Sequence, residues 1–272
     1  MAIMDKELEL KLWAAADHMR GNISSEQYMH IVIGILFIKS MSDKYTNAVK
    51  QIKEKYGDKW KFFAESKDVL ASDYNCSFII PEKATWEYIS EYASSPQIGT
   101  IIDEAFLLIE QKNDDLKGLF DKNYNRTELD QTRLGNVVSE FSNIDINKYG
   151  DDIIGRVYEY FLGQFFLKQG QKGGEFYTPS DIVKLLVELI EPNKGTIYDP
   201  ACGTGGMFVQ ARKHLIDIGE DPTSLTVYGQ EFQDKTWKLA RINLLLQGFN
   251  AKDIHLGDRS ADTFKNDLHK GM

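Results

Sequence analysis

The stretch Thr196 to Met207, TIYDPACGTGGM, limits the possible folds of this chain more than any other. Thr196, Ile197 and Tyr198 favour a strand, and Asp199 and Pro200 stop it. Glycines follow at Gly203, Gly205 and Gly206, ahead of a helix-like segment. The pattern predicts a strand, a tight glycine turn and a helix N-terminus, a layout that lets backbone N–H groups approach a bound molecule closely. It is not a phosphate loop, because no Gly-Lys-Ser/Thr follows the glycines. Nor is it the G-x-G-x-x-G of dinucleotide folds, because the third glycine comes early and Phe208 occupies its expected place.

The surrounding pattern places this turn in a parallel sheet. Ile153, Val157, Tyr160, Phe161, Gln164 and Phe165 predict a helix leading into the glycine-rich QGQKGGE. Helix and strand then alternate: helix 178–191, strand 196–198, helix 207–215, strand 225–229, helix 234–246, strand 253–256. Such alternation predicts right-handed β-α-β units. Helix 234–246 carries Trp237, Leu239, Ala240, Ile242, Leu244 and Leu245 as core. Lys238 and Arg241 on it either face DNA or are solvated.

The first half reads as mainly helical, with a domain boundary near residue 150. Ser24 and Gln27 fit a capping box. Tyr28, Ile31, Val32, Ile35, Leu36 and Lys39 recur at helical spacing, and all but Lys39 make one buried face. Lys44 to Lys61 reads as a solvated helix and connection, Ile98 to Ile109 as an apolar helix, and Asp114 to Arg133 as a loop with short helical pieces.

Composition narrows the function classes. The net charge of −9 argues against a self-sufficient DNA binder, since neutralising phosphates needs clustered Lys and Arg. Two cysteines, Cys76 and Cys202, are too few and too distant for a zinc site or a disulfide framework, which fits a reduced, cytoplasmic setting. The five histidines show no metal spacing. The opening MAIMDKELELK is charged too early for a signal peptide. The apolar run Ile31 to Ile38 is far shorter than the about 20 residues of a membrane span.

Several residues gather around the glycine turn. In EFYTPSD, Thr178 suits an N-cap, Pro179 the first helical position, and Asp181 the return bond of a capping box. Ile182, Leu185, Leu186, Leu189 and Ile190 follow as an apolar stripe. Asp199 falls at the carboxyl end of a strand, where open α/β sheets bind ligands. Glu231 ends the strand LTVYGQ, where an acid is placed to accept ribose hydroxyls. Asp258 follows HLG at the next strand end. Cys202 at a helix start fits either a stabilised thiolate or a small loop-filling residue, and no local histidine accompanies it.

EFYTP, DPACGTGG and Glu231, in that order and spacing, resemble the S-adenosylmethionine pocket of DNA adenine-N6 methyltransferases, most closely the modification (M) subunit of type I restriction-modification systems. The segment LWAAADHMRGNISSEQYMHIVIGILFIKSMSDKY resembles the helical N-terminal domain of the same subunits, so the likeness covers nearly the whole chain. It implies an α + α/β chain: a helical N-terminal domain over 1–150, and a truncated Rossmann-like methyltransferase domain with a parallel sheet over 151–272. It implies S-adenosyl-L-methionine as cofactor, held by Glu175, Phe176, Tyr177, Thr178, Pro179, Ser180, Asp199, Gly203, Thr204, Gly205, Glu231 and Asp258. Within that set, the EFYTPS residues would pack on the methionine part, Asp199 would pair with the amino group, and Asp258 would meet the adenine amino group. The implied partners are DNA reached through the full complex, a specificity subunit, a restriction subunit, and the remainder of the methyltransferase domain or another M chain. No membrane is implied.

The family activates the adenine amine with an Asn/Asp-Pro-Pro-aromatic loop, whose polar groups accept the amine's hydrogen bonds while the aromatic stacks on a flipped base. The six prolines here, Pro81, Pro96, Pro179, Pro192, Pro200 and Pro222, include no adjacent pair. No residue is therefore assigned a catalytic role, and the chain alone is expected to bind cofactor without transferring methyl. Two other classes stay open: a non-catalytic module that docks on a specificity subunit, and a methyltransferase acting on RNA or on protein glutamine.

Overall fold

A computed structural model describes residues 23–144, 153–168, 178–258 and 261–271, with Lys6, Leu10, Lys11, Trp13, Ala14, Ala16 and Asp17. The chain forms two compact units, Met1–Val157 and Tyr158–Met272. Among the described residues no helix is long and apolar enough to cross a membrane.

The first unit is helical. Helix α1 (Ser25–Tyr56) starts at the expected capping box: Gln27 N donates to Ser24 Oγ at 3.3 Å, and Ser24 N to Gln27 Oε1 at 3.1 Å. Tyr28, Ile31, Val32, Ile35 and Leu36 are buried, but so are Ile33, Phe37 and Ile38. The helix is apolar on every side over this stretch and is accordingly enclosed on every side. Lys39, expected outside the buried face, is buried too. Its ammonium bonds Asp43 Oδ2 one turn on at 2.5 Å and lies 5.6 Å from the Trp86 ring centroid, so its charge is met by a carboxylate and an aromatic face.

Lys44 to Lys61 departs further from its expected character. Helix α1 runs on to Tyr56, and α2 (Trp60–Ala64) and α3 (Lys67–Tyr74) fold back on it, burying Ala48 and Ile52 with Ala64, Leu70, Cys76 and Ile79. Helices α4 (Trp86–Glu91), α5 (Ile98–Lys112) and α6 (Gln131–Ser142) follow. The Phe37 ring packs against Phe78 and Phe120 at centroid distances of 6.3 and 4.8 Å, and Phe120 against Phe106 at 4.5 Å. Between α5 and α6 the chain is mostly irregular, as its mixed polarity predicts. Asp130 ends it by capping α6, accepting from Thr132 N at 2.9 Å and Arg133 N at 3.1 Å.

Helix α7 (Ile153–Lys168) contains the division between the units, and the glycine-rich QGQKGGE lies outside the described residues. The second unit then alternates as the sequence predicts: α8 (Ser180–Ile190), β1 (Gly195–Asp199), α9 (Gly206–Asp217), β2 (Leu225–Gly229), α10 (Asp234–Leu246) and β3 (Ile254–His255). The strands are parallel in the order β1-β2-β3, with Asp199 opposite Gly229 and Tyr228 opposite His255. Ile197 and Leu225 pack on Ala211 and Leu215 of α9. The Tyr158 hydroxyl is buried and donates to the Leu239 carbonyl at 2.7 Å.

One expectation fails at α8. Its N-cap is Pro179, and neither Thr178 nor Asp181 forms a capping bond, because the first helical hydrogen bonds come from Ile182 and Val183 to the Pro179 carbonyl. Its apolar stripe faces outward. Val183 and Val187 are the buried pair, whereas Leu185, Leu189 and Ile190 are 60%, 74% and 68% exposed. A helix this apolar shows period but not direction, and here the smaller β-branched side chains are the ones turned inward.

In the first unit, α6 approaches the backbone after α4 closely: a Cβ on Gly135 would stand 1.8 Å from the Ala93 carbonyl oxygen. Backbone cannot swing aside as a side chain does, so Gly135→Ala is expected to lower stability by about 1–3 kcal/mol, read as a lower denaturation midpoint by circular dichroism.

Candidate functional site

The site is built on the loop between β1 and α9. Gly203 and Gly205 have φ of 54° and 79°, a left-handed conformation that side chains other than glycine rarely take. Gly205 is the N-cap of α9, and its N–H closes the turn on the Cys202 carbonyl at 2.8 Å. The loop is also tied sideways. Gln230 N donates to Asp199 O at 3.1 Å, extending the parallel pairing one step, and Cys202 N donates to Gln230 O at 2.9 Å. The turn is thereby fixed to the end of β2 as well as to the end of β1.

Two carboxylates flank it. Asp199 accepts from Ala201 N at 3.0 Å, and burial pushes its carboxyl above the usual range. Glu231 accepts from Gln233 N at 2.7 Å, and the N–H groups of Gly203 and Phe232 also point at it. Burial raises its pKa, those N–H groups pull it back, and the Asp199 charge raises it again. Strand ends and glycine loop thus bring Asp199, Gly203 and Glu231 together. Both carboxylates hold a charge that the surroundings only partly meet, a state that an incoming cation or hydroxyl would relieve.

Cys202 settles the choice left open for it. The thiol is 5% exposed, and burial followed by the Asp199 and Glu231 charges drives its pKa far up. It is a loop-filling thiol, not a nucleophile.

A second group meets behind the loop. Thr178, Ser180 and the buried Thr204 border a cavity of about 20 Å³, together with Glu159 of α7 and Asn243 of α10. Asn243 Nδ2 donates to the Thr204 carbonyl at 2.9 Å. Glu159 accepts from Lys213 Nζ at 2.9 Å and from Gln247 Nε2 at 3.0 Å. Neither Glu159 nor Asn243 stands out in the sequence, although one sign exists: Asn243 is the polar break in the run Ile242 to Leu246.

Other expected site residues are more scattered. Pro179 is exposed at the start of α8, and Glu175, Phe176 and Tyr177 lie outside the described residues. Asp258 is exposed just beyond β3, at the same carboxyl edge of the sheet. Lys238 pairs with Asp234 at 3.6 Å, and Arg241 donates to the Ile254 carbonyl at 3.5 Å. Among the described residues no group of three or more His, Cys, Asp or Glu side chains could hold a metal ion.

Comparison with known proteins gives consistent likenesses. Residues 149–272 match the family described as N-6 DNA Methylase, and residues 8–141 that described as the HsdM N-terminal domain. The type I restriction enzyme MjaIX methylase subunit of Methanocaldococcus jannaschii is 34% identical over 94% of this chain and 48% of its own length. The HindI methylase subunit of Haemophilus influenzae is 34% identical over 63% of this chain and 40% of its own. The chain thus spans about half the length of the curated relatives it matches. Among solved structures, the methyltransferase subunit of a type I restriction-modification system from Streptococcus thermophilus superposes with a TM-score of 0.76 at 24% identity, covering 98% of this chain and 60% of that one, and shares its fold.

Cys76 and Cys202 are both buried, and burial raises the pKa of each thiol. Native protein is therefore expected to resist Ellman's reagent, and both thiols to react once it is unfolded. Fast reaction of Cys202 in the native protein would contradict this account of the loop.

Proposed function

Since this chain belongs to the family of type I restriction-modification methylase subunits, we propose that it supplies the S-adenosyl-L-methionine-binding part of an adenine-N6 DNA methyltransferase. The observation that carries the proposal is the glycine loop tied across β1 and β2, with the Asp199 and Glu231 carboxylates on either side of its backbone. In this reading Asp199 pairs with the cofactor's ammonium, Glu231 accepts the ribose hydroxyls and Asp258 meets the adenine amino group. Gly203 and Gly205 leave room for the bound molecule. Thr178, Pro179, Ser180 and Thr204, with Glu175, Phe176 and Tyr177, serve its methionine end. When bound, the cofactor supplies a methyl group activated by a sulfonium.

The match of residues 8–141 to the HsdM N-terminal domain supports DNA as the substrate, over RNA or protein glutamine. It also supports assembly with a specificity subunit, which would read the DNA sequence, and with a restriction subunit. The acidic net charge of −9 accords with a DNA grip shared with such partners. A further strand-bearing segment, the remainder of a methyltransferase domain or another M chain, would cover the outer edge of β1 and the apolar face of α8. The exposure of Leu185, Leu189 and Ile190, and the place of β1 at one edge of the described sheet, support this.

Calorimetry with S-adenosylmethionine on the folded chain tests the reading directly. Binding is expected in the wild type, with a loss of about 10-fold or more in Asp199→Asn and in Glu231→Gln, the usual size for a hydrogen bond to a charged group. No binding at millimolar cofactor would sink the proposal.

Affinity should also fall as pH is lowered, starting above the ordinary carboxylate range, because the carboxylates must be ionised and burial raises both pKa values. Stability has the opposite sign. A carboxyl whose pKa is raised on folding stabilises the folded state as pH falls and loses that contribution as pH rises through the raised value. Cofactor-free Asp199→Asn is thus expected to melt higher than wild type at neutral pH while binding more weakly.

These 272 residues hold no Pro-Pro pair, so the chain by itself is expected to transfer no labelled methyl to DNA. Incorporation above background by the pure chain would refute that part of the proposal.

A further inference from the structure

Asn243 sits in the last turn of α10, is 2% exposed, and is flanked by Ile242 and Leu244. Its Nδ2 donates to the Thr204 carbonyl at 2.9 Å, so a buried helix reaches up and holds one peptide of the glycine loop. Its Oδ1 is buried with no hydrogen-bond partner among the described residues. The residue borders the cavity of about 20 Å³ that Thr178, Ser180 and Thr204 also line, a volume that accommodates a single water. A buried amide with an unmet acceptor lowers stability, and its one bond, to the Thr204 carbonyl, offsets only part of that loss. The arrangement therefore makes little sense as packing alone. It makes sense if the amide sets the Thr204 peptide on one side and, through one water in the cavity, the hydroxyls at the start of α8 on the other.

We propose that Asn243 is a positioning residue that fixes the methionine end of the cofactor site without touching the nucleoside end. The inference rests on the cofactor reading above. It predicts an effect split along the cofactor molecule, which a general loss of structure would not give. Nucleoside contacts belong to Glu231 and Asp258, on other strand ends. Only the amino-acid portion depends on Thr204, Thr178 and Ser180.

The test compares S-adenosylmethionine with adenosine, which lacks the amino-acid portion, by calorimetry on the full chain and on Asn243→Leu. The variant should fold as wild type by circular dichroism and lose about 10-fold or more in affinity for S-adenosylmethionine, with its affinity for adenosine changed less than about 2-fold. Equal losses for both ligands, or none for either, would overturn the assignment. Should Asn243→Leu not fold, the wild type decides. Its Asn243 carboxamide resonances should shift on saturation with S-adenosylmethionine and stay in place with adenosine; any other pattern counts against the role. A wild type that binds neither ligand overturns the cofactor reading itself, and a wild type that binds both with an unaffected variant overturns only the role of Asn243.

Discussion

A single backbone link organises the second unit: Cys202 N–H to the Gln230 carbonyl, from the loop after β1 to the residue after β2. Parallel strands end with carbonyls and amides that have no further partner in the ladder, and buried ones must be met somewhere. Here they are met by the turn itself. Because Gln230 N also bonds Asp199 O, the two strand ends and the turn form one closed hydrogen-bonded patch. That patch fixes where Asp199 and Glu231 begin, so the spacing of the two carboxylates follows from sheet geometry and not from side-chain preference. It also explains the glycines. A loop drawn back onto the next strand must turn through left-handed conformations, and Gly203 and Gly205 supply them.

The same patch stores unfavourable electrostatics. Burial raises the pKa of Asp199 and Glu231, and each charge disfavours a thiolate on Cys202 between them. Backbone N–H groups offset the burden on Glu231 in part. A fold selected only for stability would place uncharged groups there, whereas a fold that must take in a cation and a pair of hydroxyls needs such groups waiting. Asn243 extends the pattern from the strand ends to the helix beneath, where an amide occupies a place that packing would give to leucine.

The parts legible in the sequence were those with a strong local rule. The capping box at Ser24, the strand Leu225–Gly229 and the helix Asp234–Leu246 each follow from periodicity and end signals within a few residues. Direction was not legible. Ile182, Leu185, Leu186, Leu189 and Ile190 announce an amphipathic helix, but which side meets the sheet depends on partners far along the chain. Lys39 misled for a similar reason: a lysine on a helical face reads as solvated until Asp43 and Trp86 are seen to enclose it. At the site, Asp199, Gly203 and Glu231 were visible because strand ends and glycines mark them. Thr178 is marked by its place in EFYTPS ahead of the glycine loop, and the structure sets it on the cavity beside that loop. Glu159 and Asn243 were hidden, since each lies in a helix whose apolar pattern reads as core and reaches the loop only through tertiary packing.

The central claim is that one nucleoside-bearing molecule lies on the backbone between two strand ends. A crystal structure of the chain soaked with S-adenosylmethionine tests it most directly. The account predicts the cofactor lying against the glycine loop with its methionine end toward Thr204, its ammonium on Asp199 and its ribose hydroxyls on the Glu231 carboxylate. Cofactor density on another face of the sheet, or a loop held shut by its own side chains with the carboxylates turned apart, would contradict it.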